Sequence, residues 1–312
     1  MKKRVLVVSS SNMDMTLPVG KVPAAGETLI ARGGVRYSPG GKGGNSAIAF
    51  ARLGGDCVLC AKIGRDAHGE SLYEFYKENG INTDYLVIDK KYPTGFAAIF
   101  VERTGQNRIV VYPGANHHFL DEDVQNAFLC LPDALYMQPE IPFDAVLTAA
   151  ECAKSRGIPI FLDAGPADRE YPLEELPPLE VFSPNETETE IYTGIQPTNA
   201  ESCLRAAMEL AKRVRAKYYV LKLGARGAYV YNGRQCYLMP AIGEKAVDTT
   251  AAGDAFTAAM TLRYLENGGD ILDAVRFGNV VGGISVSRPG AGESIPTLEE
   301  AEHYLATHSG RY

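Results

Sequence analysis

The sequence predicts an α/β protein with a doubly wound, mostly parallel central sheet flanked by helices, together with a small second β-sheet. Short β-branched apolar runs alternate with longer amphipathic stretches along the 312 residues, which predicts alternating strands and helices. The strand candidates are almost entirely apolar, as expected of parallel strands that are covered on both faces. Two further strand-like regions lack the usual helix between them, and these predict the second sheet.

The elements of the central sheet follow one another along the chain. Strands are predicted at the apolar runs 4–9, 134–138, 159–163, 181–183 and 218–223. Helices are predicted at the amphipathic stretches 45–53, 68–79, 143–156, 200–216, 251–267 and 271–287. Since α/β chains of this length commonly fold as one unit, we expect a single domain over residues 1–312.

The second sheet is predicted from two separate regions, about 15–38 and 92–113. Residues 27–37 are strand-like, and no helix separates the two strands of a hairpin at 95–102 and 107–112. The four residues that link these two strands are typical of a hairpin turn. A sheet that stands off the main one usually covers a site or forms an association surface. We therefore interpret it as a discontinuous β lid.

Composition and charge exclude several classes of protein. The 31 Lys and Arg residues against 38 Asp and Glu give a net charge of −7 without a long basic run, which argues against a partner that is a nucleic acid or an anionic membrane. No apolar stretch approaches the roughly 20 residues of a membrane helix. The start of the chain is typical of a buried strand rather than of a signal peptide. The six cysteines are therefore expected to be reduced thiols in a cytoplasmic protein.

A helix start near residue 250 is the most informative pattern. Thr249 and Thr250 are predicted to cap this helix. The next three residues are small and leave the first backbone N–H groups open to an anion: Ala251, Ala252 and Gly253. Asp254 follows in the first turn, where the helix dipole alone would favour a carboxylate. An anion site beside a carboxylate is also what phosphoryl transfer to an alcohol requires.

This pattern resembles a signature of the pfkB family of carbohydrate kinases, which has the ribokinase-like fold, and the resemblance runs from the first strand to the last helix. A second family signature resembles the glycine-rich segment Ser38–Ser46, which alone would be a flexible turn and lacks P-loop spacing. The resemblance implies ATP-dependent phosphorylation of a sugar primary hydroxyl. Asp254 would be the general base, and the backbone of residues 251–253 would form the anion hole. Within the family, the sequence is most similar to members that convert D-ribose to D-ribose 5-phosphate.

The resemblance also implies the residues that hold the sugar: Asn12, Asp14, Gly40, Gly41, Lys42, Asn45, Glu140 and Asp254. Carboxylates and amides suit a vicinal diol because they pair several O–H groups in a fixed array. Taken alone, Ser11-Asn12-Met13-Asp14 equally fits an Asx-turn that closes a strand.

For the nucleotide, the resemblance implies ATP contacts at Asn185, Lys222, Gly224, Gly227, Gly253 and Asn279. Asn185 and Glu188 match a motif that is tied to Mg²⁺, partly through water, although this segment also fits a capped acidic helix start. A K⁺ site is implied beside the anion hole, built largely from backbone carbonyls of Asp248, Thr250, Ser285, Arg288, Gly290 and Ser294.

Several positions depart from the pattern of the family's ribose kinases. Lys222 stands where these kinases carry Thr, and Asp163 begins a segment that differs from their usual Asn-Pro-Ala-Pro. Gly44 and Ser46 replace a common Ala and Gln. None of these changes removes a catalytic group, but each can reshape the pocket and so change which sugar is preferred.

Other functions stay open at this point. The chain could phosphorylate fructose, deoxyribose or a nucleoside, or it could be a catalytically silent regulator that binds a sugar. A nicotinamide dehydrogenase would share the sheet, but Ser9–Asn12 after the first strand lacks the G-x-G-x-x-G turn. The family resemblance also implies a homodimer formed through the two lids, which would cover exposed sheet edges.

Overall fold

The strands of the protein are seen in a computed structural model that describes residues 2–31, 33–103, 106–242 and 245–308. In chain order they are β1 (Arg4–Val8), β2 (Asn12–Val19), β3 (Arg36–Gly40), β4 (Asp56–Cys60), β5 (Lys62–Gly64), β6 (Val87–Asp89), β7 (Gly95–Glu102), β8 (Asn107–Tyr112), β9 (Ala134–Met137), β10 (Ile160–Asp163), β11 (Leu179–Ser183), β12 (Ala216–Lys222), β13 (Ala228–Tyr231) and β14 (Cys236–Met239). The helices are α1 (Lys42–Arg52), α2 (Ala67–Glu78), α3 (Asp121–Ala127), α4 (Phe143–Ser155), α5 (Glu186–Thr193), α6 (Ala200–Arg213), α7 (Ala252–Glu266), α8 (Ile271–Val286) and α9 (Leu298–His308).

The central sheet has eight strands in the order β14-β13-β12-β11-β10-β9-β1-β4. The strands from β4 to β12 in this order are parallel, and β13 and β14 join the end of the sheet as antiparallel strands. The prediction of a doubly wound, mostly parallel sheet is therefore confirmed. The carboxyl ends of the parallel strands meet at one edge, which is where open α/β sheets bind ligands.

Apolar side chains cover both faces of the central sheet. Along β1, Val5 and Val7 belong to one buried cluster and Leu6 and Val8 to the other, because successive side chains of a strand point to opposite faces. Helices α1, α7 and α8 pack on the first face, and α4 and α6 pack on the second. The same alternation places Cys57 in the first cluster and Cys60 in the second.

The second sheet has four strands in the order β3-β2-β7-β8, and we call it the lid sheet. Strand β2 leaves the end of β1 after three residues and runs directly into the lid sheet. The interpretation of Asn12–Asp14 as a turn is therefore wrong, because these residues begin a strand. The strand predicted at 27–37 is also wrong over most of its described residues, since regular pairing begins only at Arg36; Arg32 lies outside the described residues.

Several predicted boundaries also change. Helix α1 begins at Lys42, so the glycine-rich segment is partly helical; a Cβ on Gly43 would lie 2.5 Å from the carbonyl oxygen of Ser10. The predicted helix 200–216 ends earlier because β12 begins at Ala216. The predicted hairpin turn includes Thr104 and Gly105, which lie outside the described residues.

Within the described ranges, the structure has no helix with the length and apolar character needed to cross a membrane.

Candidate active site

Polar side chains collect at the carboxyl edge of the central sheet. Each of the following residues lies at the end of a parallel strand or within two residues of it: Ser9, Gln138, Asp163, Asn185 and Lys222. The amino terminus of α7 meets the same edge and brings Asp254 to it, since Gln138 Nε2 donates to Asp254 Oδ1 over 3.1 Å. The lid sheet begins beside this edge because β2 follows β1 so closely. The result is a polar cleft between the central sheet, α7 and the lid sheet.

Asp254 lies in the first turn of α7 and is buried, with 5% of its surface exposed. Asn45 Nδ2 donates to its Oδ2 over 2.9 Å. On the other carboxylate oxygen, the hydrogen bond from Gln138 is accompanied by the Lys42 ammonium at 3.6 Å. Two amides and one cation therefore fix the orientation of this carboxylate.

Burial raises the pKa of Asp254 to about 6, although nearby Lys42 acts in the opposite direction. A carboxylate with a pKa in this range can accept a proton near neutral pH more readily than an ordinary aspartate. Removal from water alone would lower the pKa of the Lys42 ammonium, but Asp254 and three further carboxylates raise it overall. The cation and the buried base therefore favour each other's charged forms.

The backbone before Asp254 forms an open helix terminus. Ala251 occupies the N-cap position in a left-handed conformation, with φ 60°, and its side chain makes no cap. The predicted threonine cap is wrong, because Thr250 Oγ1 donates to Asp248 Oδ1 instead. Ala252 N makes a 3.4 Å hydrogen bond to Thr249 O, whereas the N–H groups of Gly253 and Asp254 donate to no described residue. These free N–H groups can bind an anion beside the carboxylate.

The sugar-binding candidates of the lid sheet lie close together. Asn12 pairs with Gly40 across β2 and β3, and Asp14 lies two pairs further along, on the same face of the sheet. A Cβ on Gly40 would collide with the Asp14 carboxylate, and one on Gly41 would lie 2.8 Å from Asn12 N. Glycine is therefore required at Gly41, which also has a φ of 78°, whereas a side chain at position 40 would displace the Asp14 carboxylate. Burial, followed by the charges of Glu140 and Asp254, raises the pKa of Asp14 to about 7.

Glu140 connects the end of β9 to the start of α1. Its Oε2 accepts a 2.9 Å hydrogen bond from Lys42 N and a short one from the Ser10 hydroxyl. The structure thus brings all the predicted sugar residues to one wall of the cleft. This wall is completed by Lys42 and Asn45, which face Asp254 from α1.

Two residues that position this wall were missed by the sequence reasoning. Gln138 holds Asp254 and in turn accepts a 2.9 Å hydrogen bond from the Ser9 hydroxyl. Asn116 is buried and donates to Asn12 Oδ1 over 2.8 Å. Gln138 was within reach of the sequence, since it follows a predicted strand and precedes Glu140 by two residues. Asn116 gave no such signal, because it lies far along the chain from its partner.

The nucleotide candidates mostly bond to the protein itself. Asn185 caps α5 by accepting from Glu188 N, and Glu188 Oε2 accepts from Asn185 N over 2.7 Å. This is the capped helix start that the sequence left as an alternative. Glu188 Oε1 accepts no hydrogen bond from the described residues. Lys222 Nζ forms a 2.5 Å ion pair with Asp163.

The remaining nucleotide candidates shape the backbone beyond β12. Gly224 and Gly227 both have positive φ, at 54° and 91°, in the turn that follows β12. A Cβ on Gly227 would collide with the Met239 carbonyl oxygen, so the turn requires glycine there. Asn279 on α8 donates to the carbonyl oxygens of Met239 and Pro240 over 3.2 and 3.0 Å. Its side chain thus fixes the end of β14.

The residues implied for K⁺ lie side by side next to the amino terminus of α7. Asp248 accepts hydrogen bonds from Thr250 and, over 3.0 Å, from Gly290 N. The hydroxyls of Ser285 and Ser294 are 2.8 Å apart. The segment that holds Asp248 is bonded to the end of α8, since Val286 O accepts a 3.1 Å hydrogen bond from Asp248 N. The guanidinium of Arg288 pairs with Glu300, so only the backbone of Arg288 is available to a cation. This arrangement fits a monovalent cation held mainly by carbonyls.

Comparisons with known proteins agree with this geometry. Residues 2–298 match the model of the pfkB family carbohydrate kinases. The chain belongs to this family. It is 36% identical over 302 residues to the ribokinase of Staphylococcus aureus (strain COL), covering 96% of this chain and 99% of that protein. It is 31% identical over 304 residues to the deoxyribokinase of Salmonella typhi, covering 97% of this chain and 98% of that protein.

A solved structure extends the likeness to the whole fold. The structure of Arabidopsis thaliana ribokinase complexed with ribose and ATP superposes with a TM-score of 0.88 at 30% sequence identity, covering 98% of this chain and 99% of that chain. The ribokinase-like fold expected for this carbohydrate kinase is therefore confirmed, including its second small sheet.

Proposed function

We propose that this carbohydrate kinase transfers the γ-phosphoryl group of ATP to the primary hydroxyl of D-ribose, giving D-ribose 5-phosphate and ADP. One observation carries the proposal: the oriented Asp254 carboxylate lies beside the free N–H groups of Gly253 and Asp254. The likeness to ribokinases over the full chain supports ribose as the sugar.

The proposed reaction uses the cleft residues in fixed roles. The sugar hydroxyl gives its proton to Asp254 while its oxygen forms a bond to the γ-phosphorus. The bond between that phosphorus and the bridging oxygen of ADP breaks, and the electron pair leaves with ADP. The Lys42 ammonium and the free N–H groups at the start of α7 offset the negative charge on the transferred group. Asn12, Asp14, Asn45 and Glu140 hold the other hydroxyls of the sugar.

Two cations fit the chain's own residues. Mg²⁺ usually binds one or two carboxylates together with substrate phosphates and water, and the free Oε1 of Glu188 suits this mode better than Asn185, whose Oδ1 is already used. Mg²⁺ would neutralise phosphate charge. K⁺ would lie among the carbonyls around Asp248 and Gly290, next to the anion site.

Deoxyribose is the second candidate substrate, because a deoxyribokinase also matches the full chain. The two sugars differ by one hydroxyl, and a site built to bond that hydroxyl rejects the analogue that lacks it. We therefore test the proposal by measuring ADP release over ribose, deoxyribose, fructose and nucleosides, with and without K⁺. The highest kcat/KM is expected for ribose. ADP release with none of these acceptors would contradict a kinase function and favour the silent sugar-binding regulator.

We also infer that two copies associate through the lid sheet. The last strand of this sheet, β8, exposes consecutive apolar side chains: Ile109 (53%), Val110 (65%), Val111 (46%) and Tyr112 (52%). An exposed apolar edge strand favours pairing with a second copy. Light scattering at micromolar concentration should give a dimer, and Val110→Lys should convert it to a monomer. Leu131→Lys is the matched control, since Leu131 is exposed outside the lid sheet. A monomeric parent protein would refute this inference.

The proposed site of action is the cytoplasm. All six cysteines are free thiols, and four of them are buried. Free thiols of this kind are typical of a reducing compartment. Recovery of the protein in the cytoplasmic fraction of its own cells is the expected result, and recovery outside the cells would contradict it.

A further inference from the structure

Lys222 and Asp163 form a buried ion pair at the edge of the central sheet. Their side chains are 10% and 1% exposed, and Lys222 Nζ lies 2.5 Å from Asp163 Oδ1. Lys222 Nζ also donates to Thr257 Oγ1 over 3.2 Å, which ties the pair to the second turn of α7. Two of the residues that depart from the family pattern therefore meet each other in space.

The pair lies directly beside the anion site. Lys222 ends β12 and Asp163 ends β10, so the lysine side chain reaches across the end of β11. A Cβ on Gly253 would lie only 3.7 Å from Lys222 Nζ. Since Gly253 contributes a free N–H to the anion site, an ammonium group at this position adds positive charge there. Lys42 supplies a second cation near Asp254, from α1.

The pair also acts on Asp254 through its charges. The charged and titratable groups around this base come from five elements: Asp14 on β2, Lys42 on α1, Tyr136 on β9, Asp163 on β10 and Lys222 on β12. Burial and the charge of Lys42 have the largest effects on the pKa of Asp254. Of the two members of the pair, Asp163 raises this pKa and Lys222 lowers it. The effects of the two residues on the pKa of Asp254 therefore oppose each other, and the loss of either residue leaves an uncompensated charge near the base.

We propose that Asp163 and Lys222 form one positioning unit of the phosphoryl-transfer site, in which Asp163 holds the Lys222 ammonium beside the anion site and neither residue functions without the other. This inference rests on the proposed kinase function. Neither residue needs to touch the sugar, so the unit should affect nucleotide affinity and turnover rather than the choice of acceptor.

A double-mutant cycle tests the coupling. Asp163→Asn and Lys222→Met preserve the size of each side chain and remove its charge. Each single variant is expected to lower kcat at least about tenfold. The kcat of the double variant should be several-fold higher than that of the less active single variant, because the double variant buries no unpaired charge. The lower part of the acidic limb of the kcat/KM profile, which Asp254 controls, should move to lower pH in Asp163→Asn and to higher pH in Lys222→Met.

Lys62→Met is the control for a general loss of stability. Lys62 is also buried and pairs with Asp123 over 2.9 Å, at a point outside the cleft. This variant should melt at a lower temperature without a shift of the pH profile. Circular dichroism establishes that each variant is folded before its activity is measured.

Affinity for a nonhydrolysable ATP analogue, measured by calorimetry across the same cycle, separates this proposal from the proposed function. If the parent protein phosphorylates no sugar, the proposed function fails, and the calorimetric cycle alone decides the coupling. The proposal would be overturned if the loss of kcat or of analogue affinity in the double variant equalled the product of the losses in the two single variants. Equal pH profiles in all variants would overturn it too.

Discussion

The cleft has a proposed sugar half, with Asn12, Asp14 and Glu140, and a proposed nucleotide half, with Asn185, Lys222 and Asn279, and the two use their polar side chains differently. In the sugar half, the Asp14 carboxylate is buried and accepts no hydrogen bond from the described residues. In the nucleotide half, Asn185 caps a helix, Asn279 holds two carbonyls and Lys222 pairs with Asp163. The sugar half keeps the Asp14 carboxylate free for a ligand, whereas Asn185, Asn279 and Lys222 of the nucleotide half bond to the protein itself.

This difference indicates where selectivity resides. A buried carboxylate without a donor is costly until a ligand hydroxyl supplies one, so the sugar half favours acceptors that place hydroxyls correctly. The nucleotide half offers mainly backbone N–H groups and glycine turns, which bind phosphates and contribute little to recognition of the rest of the ligand. Substitutions in the two halves should therefore have separable kinetic effects.

The largest effect is expected where the two halves meet. Asp254→Asn removes the proton acceptor and keeps the shape of the side chain, so kcat should fall at least about 100-fold. The KM for ATP should change little, because the free N–H groups remain. Steady-state ADP release measures both constants. Near-normal turnover in this variant would refute the role of Asp254 as general base.

A change confined to the sugar half should act on the sugar alone. Asp14→Asn replaces a charged acceptor with a neutral amide, and kcat/KM for ribose should fall about 10- to 100-fold, as for the loss of a charge-assisted hydrogen bond. The KM for ATP should remain within about twofold of the parent value. Equal losses for both substrates would show that the two halves are not separable.

The pH dependence should reflect the same two carboxylates. Asp254, with a pKa of about 6, and Asp14, with a pKa of about 7, must both be deprotonated, so kcat/KM should fall as pH decreases through this range. The expected loss is about tenfold for each pH unit below a single controlling pKa. Asp14→Asn should leave a limb governed by Asp254 alone, at lower pH. A profile that is flat between pH 5 and 8 would contradict this assignment.

The smallest effect is expected from a bracing residue of the nucleotide half. Asn279→Ala removes two hydrogen bonds to the backbone after β14, which should destabilise the fold by about 1–3 kcal/mol. The KM for ATP should rise a few-fold while the KM for ribose stays unchanged. Thermal unfolding and steady-state kinetics check the two expectations. An unchanged KM for ATP would place Asn279 outside the nucleotide site.

The central sheet could be predicted from sequence because its strands are continuous apolar runs, as in Val5–Val8 and Leu135–Met137. The lid sheet was harder to predict. Its strand β2 begins with Asn12 and Asp14, and Asn and Asp are depleted in strands and favour turns. The run 27–35 has strand-like residues, but those that the structure describes have no regular partner, since β-propensity depends on pairing that local sequence does not show.

Site residues that belong to a local motif were available from the sequence, and those that act through space were not. The segment from Ala251 to Asp254 specifies its own geometry, whereas the pairing of Asp163 with Lys222 depends on the order of the strands. The failed threonine cap has a similar cause. Thr250 bonds to Asp248 because the adjoining loop positions that carboxylate, which also accepts from the distant Gly290.

Strand β2 has a consequence for protein engineering. Asn12 and Asp14, which we propose to hold the sugar, belong to the strand that runs on into the lid sheet, and only Ser9–Ser11 separate this strand from β1. Grafting a lid from a related kinase would therefore replace part of the recognition surface at the same time. Exchange of the lid and redesign of the substrate preference are therefore linked in this molecule.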